Sequence, residues 1–306
     1  MGILDDLKME YRMGGIAQRL IFWNVGLFAI PMILFGVLPL FGVSLSFLNW
    51  NSSGVDWLSL SSSPTDLLWK PWSLIVYMFL HAGILHLLFN MLMLYFSARF
   101  FLTFFTQKQF FGLYILGGVF AGLIFILSFN VLPGLVLSQA KMVGASAAIM
   151  TILIASAVYA PYYPIRFPLI GTLKLWHIAL FYVVLDLIQA SGGNSGGHIA
   201  HLSGALFGYV YIRLLQRGTD ISNIVTVVID FFANLFKPKK STPFKKVHRN
   251  KNTAAANNRS TTNSTSGRQS KDITQQKIDD ILDKISKSGY DSLTKEEKEF
   301  LFKVGK

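Results

Sequence analysis

The sequence predicts an all-α fold: a polytopic membrane bundle of six transmembrane helices, followed by a small C-terminal helical hairpin. Three observations lead there. Charged residues make up only 14% of the 306, and hydrophobic residues 52%, whereas a soluble domain carries about 25% charged residues. Six apolar windows approach or exceed the roughly 20 residues that take a helix across a bilayer. Basic residues are distributed asymmetrically around those windows, as they are in membrane proteins of fixed orientation. The chain has no cysteine, which excludes a disulfide, a thiol nucleophile and a cysteine-ligated metal.

Residues 1–19 are polar and charged and are expected to form a cytoplasmic N-terminal segment. The first apolar window, 20–42, is longer than a signal-peptide core and lacks a small-residue cleavage site, so it reads as a retained span. The remaining windows are 83–105, 109–131, 144–160, 172–190 and 198–217, which gives a membrane domain over 20–217. Residues 218–236 read as an interfacial amphipathic helix, because the apolar run from Ile221 to Phe236 carries Asp230 and is short for a span. Residues 237–271 are basic and rich in Asn, Ser and Thr and read as a disordered linker. In the last segment, 272–306, Ile278, Ile281, Leu282 and Ile285 recur at helical spacing. Gly289 suits a stop, and Thr294 with Glu297 makes a capping-box pattern ahead of a second helix with Phe300 and Leu301.

Orientation follows from the basic residues. With the N-terminus inside, the inner segments collect Lys8, Arg12, Arg19, Arg99, Lys108, Arg166, Lys174, Arg213 and Arg217, and the outer loops hold only Lys70 and Lys141. Residues 237–306 add 17 Lys/Arg against 8 Asp/Glu, a net +9. Beside a membrane span this marks the cytoplasmic face, and no nucleic-acid partner is expected. The stretch 237–251, with seven basic residues and no acidic one, reads either as a contact for anionic lipid or as a solubilising linker. The first outer loop, 43–80, holds Trp50, Trp57, Trp69 and Trp72 and is expected to lie partly at headgroup level. The glycine-rich stretch 191–197 is expected to be a floppy loop.

In this topology the second, fourth and sixth spans all run from outside to inside. Their first turns therefore share one layer, within roughly 10 Å of the outer surface at 1.5 Å per residue. That layer holds His81, His86 and Asn90 from the second span, Gly144-Ala145-Ser146 from the fourth, and His198 and His201 from the sixth. His86 and Asn90 are four apart and share a helix face, as do His201, Gly204 and Gly208. Glycine on that face, opposite the small residues around Ser146, lets the two backbones approach closely. Close approach would bring Ser146 within hydrogen-bond reach of His201, the arrangement a serine nucleophile needs. The plain alternatives are a serine that only packs helices and a histidine that only makes a structural hydrogen bond. Asp186, near the outer end of the fifth span, is either a partner for a polar group or part of the watery loop region. No metal or cofactor is expected, since no HExxH pattern is present.

Taken together, His-x4-His-x3-Asn, then Gly-x-Ser, then Ala-His-x2-Gly-x3-Gly, in this order on spans two, four and six, resembles the rhomboid family of intramembrane serine proteases. The resemblance covers roughly residues 15–217 and includes Lys70-Pro71-Trp72 and the run Tyr77 to His81. The segment from Ile281 onward is similar to the short tail of some bacterial rhomboids. The resemblance implies Ser146 as nucleophile and His201 as base, acting as a dyad without an aspartate. It implies an oxyanion site made by the Ser146 backbone N–H, the His86 side chain and the Asn90 amide. His81 would support the nearby loop, Gly144 would permit the backbone geometry before the serine, and Gly204 and Gly208 would let span six pack on span four. Three positions depart from the family pattern: Ser73 stands where an arginine is common after the tryptophan, Ala147 where glycine is common, and Met150 where an aromatic is common.

The implied activity is hydrolysis of single-span transmembrane substrates near their outer end, with lateral access beside the fifth span. The implied setting is a bacterial inner membrane, with both termini cytoplasmic and the site opening outward. A non-catalytic rhomboid-like protein that binds membrane clients is the alternative. The sequence does not specify an oligomeric state.

Overall fold

The structure, a computed structural model, describes residues 2–42, 50–51, 54–55, 57–136, 138–167, 171–236 and 266–304. The chain divides into two compact units, Met1–Lys239 and Lys240–Lys306. The parts of the linker expected over 237–265, and with them the basic stretch 237–251, lie outside the described residues.

The first unit is a helical bundle. Its N-terminal segment forms a helix, α1 (Ile3–Met13), with acidic Asp5 and Asp6 in the first turn and Arg12 in the last, the charge order that a helix dipole favours. Next comes α2 (Ile16–Val37), which continues as a 3-10 turn to Phe41. Its buried residues Leu20, Asn24 and Phe28 recur every four positions, so one stripe meets the bundle and the remainder is exposed apolar surface. In the loop that follows α2, β1 (Trp50–Asn51) pairs antiparallel with β2 (Gly54–Val55). After β3 (Leu60–Ser61) come the short helices α3 (Pro64–Trp69) and α4 (Ser73–Val76). Trp57, Trp69 and Trp72 of this loop are exposed. The long helices α5 (Ile84–Phe104) and α6 (Gln107–Val131) follow, the latter opened by a reciprocal capping box between Thr106 and Gln109.

β4 (Lys141–Met142) pairs with β3 and ties the first loop to the segment that leads into α7 (Ser146–Tyr159). The chain then makes a hairpin of β5 (Pro164–Phe167) and β6 (Gly171–Lys174), and continues through α8 (Leu175–Gln189), α9 (Ser195–Gln216) and α10 (Asn223–Phe236). Three helical segments, Ile16–Phe41, Ile84–Phe104 and Gln107–Val131, are long and apolar enough to cross a membrane. Shorter apolar helices, α7 and α8 among them, complete the bundle.

The central helix is α7. All its residues from Ala147 to Ala157 are buried, and α5, α6, α8 and α9 pack around it. Small side chains make this enclosure feasible, and its hydroxyls are satisfied internally: Thr151 donates to the Ala147 carbonyl at 3.0 Å and Ser156 to the Ile152 carbonyl at 2.8 Å. Large apolar side chains are exposed around it instead, including Leu123, Leu127, Phe181 and Ile188. Apolar groups buried within and exposed around the same bundle identify lipid as its solvent.

Several boundaries differ from expectation. The fourth helix starts at Ser146 rather than 144, and the fifth at Leu175 rather than 172, because residues 171–174 first form β6, paired with β5. The sixth starts at Ser195, inside the glycine stretch expected to be floppy. There Gly196 is a packing residue: a Cβ on it would lie 2.7 Å from the Phe125 ring and 3.0 Å from that of Phe129.

Opposite the histidine layer, Asp220 gathers the ends of three helices. It accepts from Gln109 Nε2 at 2.9 Å, from the Ser222 hydroxyl at 2.6 Å and from the Tyr211 hydroxyl at 3.3 Å. Burial alone would raise the Asp220 carboxyl; the donors from Ser222, Gln109 and Tyr211 outweigh it and hold the group below its usual range.

The second unit contains α11 (Ser266–Ser288) and α12 (Lys295–Val304). α11 begins before the expected linker end at 271, since Arg268, Gln269 and Lys271 are good helix formers. Gly289 takes φ +79°. The Thr294 N–H donates to Glu297 at 2.8 Å, and Lys284 of α11 pairs with Glu297 at 2.9 Å.

Candidate active site

The segment preceding α7 is held from both sides. The Ser62 N–H donates to the Ala140 carbonyl at 2.9 Å, and the Gly144 N–H donates to the Tyr77 carbonyl at 2.9 Å. Tyr77 is itself fully buried, its hydroxyl donating to the Gly118 carbonyl at 2.8 Å. Gly144 takes φ +126°, a region open to glycine and strained for other residues. A Cβ there would lie 2.9–3.0 Å from the His86 imidazole. The residue two positions on, Ser146, is the first of α7. The first N–H groups of a helix have no partner within it, so the serine stands where free backbone donors and a positive dipole end converge.

α9 approaches α7 so closely that glycine is required. A Cβ on Gly204 would collide with the Ala147 carbonyl, and one on Gly208 with the Thr151 carbonyl. This approach sets His201 against the serine: His201 Nε2 is 2.7 Å from Ser146 Oγ. The other ring nitrogen, Nδ1, is 2.9 Å from Asp186 Oδ1 of α8, and His198 Nδ1 is 2.8 Å from the same oxygen. Asp186 is only 4% exposed. Among the described residues these three side chains also bring metal-ligand-type atoms within 4.8 Å of one another, each already engaged in the hydrogen bonds just given.

On α5, the Ala82 N–H donates to His86 Nδ1 at 3.3 Å. An accepting Nδ1 leaves the ring proton on Nε2, the nitrogen that faces Gly144. Asn90 is buried and its amide donates to the His86 carbonyl at 2.8 Å. His81 lies behind His86, ring centroids 5.2 Å apart. Neither of its nitrogens makes a well-formed hydrogen bond. Burial, and then the neighbouring His86, lower its pKa from 6.5 to about 4.

Ser146, His201, His86, Asn90 and Asp186 all line one cavity of about 1390 Å³, with Met150 on its wall. At the departures from the family pattern, Ser73 is buried and its hydroxyl donates to the Lys70 carbonyl at 2.7 Å. Trp72 is held instead by its own indole N–H, which donates to the Trp57 carbonyl at 2.9 Å. Asp186 is the site residue to which the motif pattern assigned no role. Its one signal in the sequence is a carboxylate inside an apolar helix, which in a membrane defaults to function.

This arrangement defines a class: a helical integral membrane protein with a serine–histidine pair enclosed in its bundle. Residues 68–218 match the rhomboid domain, which supports a rhomboid family protein. Residues 268–304 match a family of unknown function (DUF6576). No curated protein matches the chain.

Proposed function

We propose that the protein is an intramembrane serine endopeptidase that cleaves single-span transmembrane substrates near their outer end. The observation that carries this reading is the 2.7 Å contact between Ser146 Oγ and His201 Nε2 at the N-terminus of a buried helix. His201 takes the hydroxyl proton as Ser146 attacks the scissile carbonyl, then passes it to the leaving amine. The acyl-enzyme that remains is hydrolysed by water in the reverse sequence. Negative charge developing on the carbonyl oxygen meets the Ser146 N–H, the His86 Nε2–H and the Asn90 amide, and loss of one such donor typically costs about 10²–10³ in rate.

Depth supports the same reading. With six spans and the N-terminus inside, the reading taken from the basic residues, the start of α7 would lie toward the outer face. A 14-residue helix is about 21 Å long at 1.5 Å per residue, against a hydrocarbon core of about 30 Å. A serine at its first residue is then submerged, yet near enough to the surface for water to reach through the cavity. The fifth helix, α8, is the side of lateral access. Its only buried apolar residues are Leu175 and Ala179, so a substrate helix that displaces it gives up little apolar packing, though it must break the Asp186 contacts with His198 and His201. The inner membrane of a bacterium is the setting this reading implies.

The test is co-expression with a tagged single-span reporter, together with labelling by a fluorophosphonate probe. Wild type should cleave and label, and Ser146→Ala should do neither at unchanged expression. Reporter cleavage surviving in Ser146→Ala would end the proposal. Reporter binding without any Ser146 labelling would assign the chain to the non-catalytic client binders.

A further inference from the structure

We propose that Asp186 is a positioning residue for His201, so that the reacting pair is extended by a carboxylate into a Ser146–His201–Asp186 chain. This rests on the proteolytic reading above and goes beyond the two-residue arrangement that the family resemblance implies.

The argument starts from the imidazole. A neutral histidine carries its proton on one nitrogen only, and the nitrogen facing Ser146 must be the bare one to accept the hydroxyl proton. A carboxylate at the other nitrogen selects that form, because an ionised carboxylate only accepts. Asp186 Oδ1 lies 2.9 Å from His201 Nδ1 while Nε2 lies 2.7 Å from Ser146 Oγ. The same oxygen lies 2.8 Å from His198 Nδ1. Two imidazole N–H groups, three residues apart on α9, thus hold one carboxylate whose side chain is 6% exposed. In the reaction the proton moves from Ser146 Oγ to His201 Nε2, Nδ1 keeps its own, and Asp186 stays ionised beside the imidazolium.

Asp186 sits on α8 and His201 on α9. The orientation of the base therefore depends on where α8 stands.

The test compares full-length wild type, Asp186→Asn and Asp186→Ala in detergent micelles. It uses single-span reporter cleavage at varied substrate concentration and the maximal rate of Ser146 labelling by a fluorophosphonate. Asp186→Ala should lower kcat by roughly 10–10³-fold, short of the ~10⁴ lost when a triad histidine is left in the wrong tautomer, with KM within about twofold. Asp186→Asn offers an NH2 donor as well as an accepting oxygen and can hold His201 in the wrong tautomer, so it should lose at least as much kcat as Asp186→Ala. Labelling should decline in parallel. Wild-type kcat in both variants, or a loss confined to KM, overturns the inference. If the alanine variant does not fold, the asparagine variant decides alone. Absence of Ser146-dependent cleavage in wild type would instead sink the proposed function, and this inference with it.

Discussion

Gly144 and His81 lie beside the Ser146–His201 contact, and each is explained by its own surroundings. At Gly144 a positive φ and the nearby His86 ring both exclude a side chain, so the glycine is explained twice over. His81 is a buried imidazole that burial and His86 keep neutral, with its pKa lowered from 6.5 to about 4. The unfolded chain takes up a proton there below about pH 6.5, and the folded chain does so only near pH 4. Between those values the unfolded state binds more protons, so stability falls as pH falls. The loss levels off below about pH 4, at roughly 3 kcal/mol. Thermal unfolding in detergent at pH 7 and pH 5 should show a lower midpoint at pH 5, and His81→Leu should narrow that gap. An equal gap in both proteins would mean that His81 is not the group responsible.

At the scale of elements, the pair α7–α9 decides the site. The pattern Gly204-x3-Gly208 was legible as a close-packing face, and the structure sets those glycines on the Ala147 and Thr151 carbonyls. A Cβ at Gly204 must push α9 outward and move His201 with it. Gly204→Ala is expected to lower the rate of Ser146 labelling by more than about tenfold and to destabilise by about 1–3 kcal/mol. Labelling at the wild-type rate would show that the two backbones can give way without consequence. Helix ends were less legible. The hairpin of β5 and β6 delays α8, and α9 begins within a glycine stretch, because hydrogen-bond pairing and ring contacts with α6 override local composition.

Across the whole molecule, the described core of the first unit is complete without the second. Its buried cluster draws on residues from Leu20 to Ile212, and no residue beyond 239 belongs to that unit. A chain ending at residue 239 is therefore expected to insert in membranes and to react with a fluorophosphonate at Ser146 within about threefold of the full chain, an allowance of under 1 kcal/mol. Loss of labelling in a well-expressed truncated chain would mean that the second unit supports the site directly.

Composition and apolar runs were enough to establish a membrane-embedded helical protein, and the spaced motifs were enough to point to its family. Both are local properties of the chain, written in hydropathy, periodicity and side-chain type. Only the tertiary structure decided that Asp186 faces His198 and His201 rather than the loop water. A carboxylate's partner is set by how two helices cross and rotate, and one sequence contains no direct measure of that geometry.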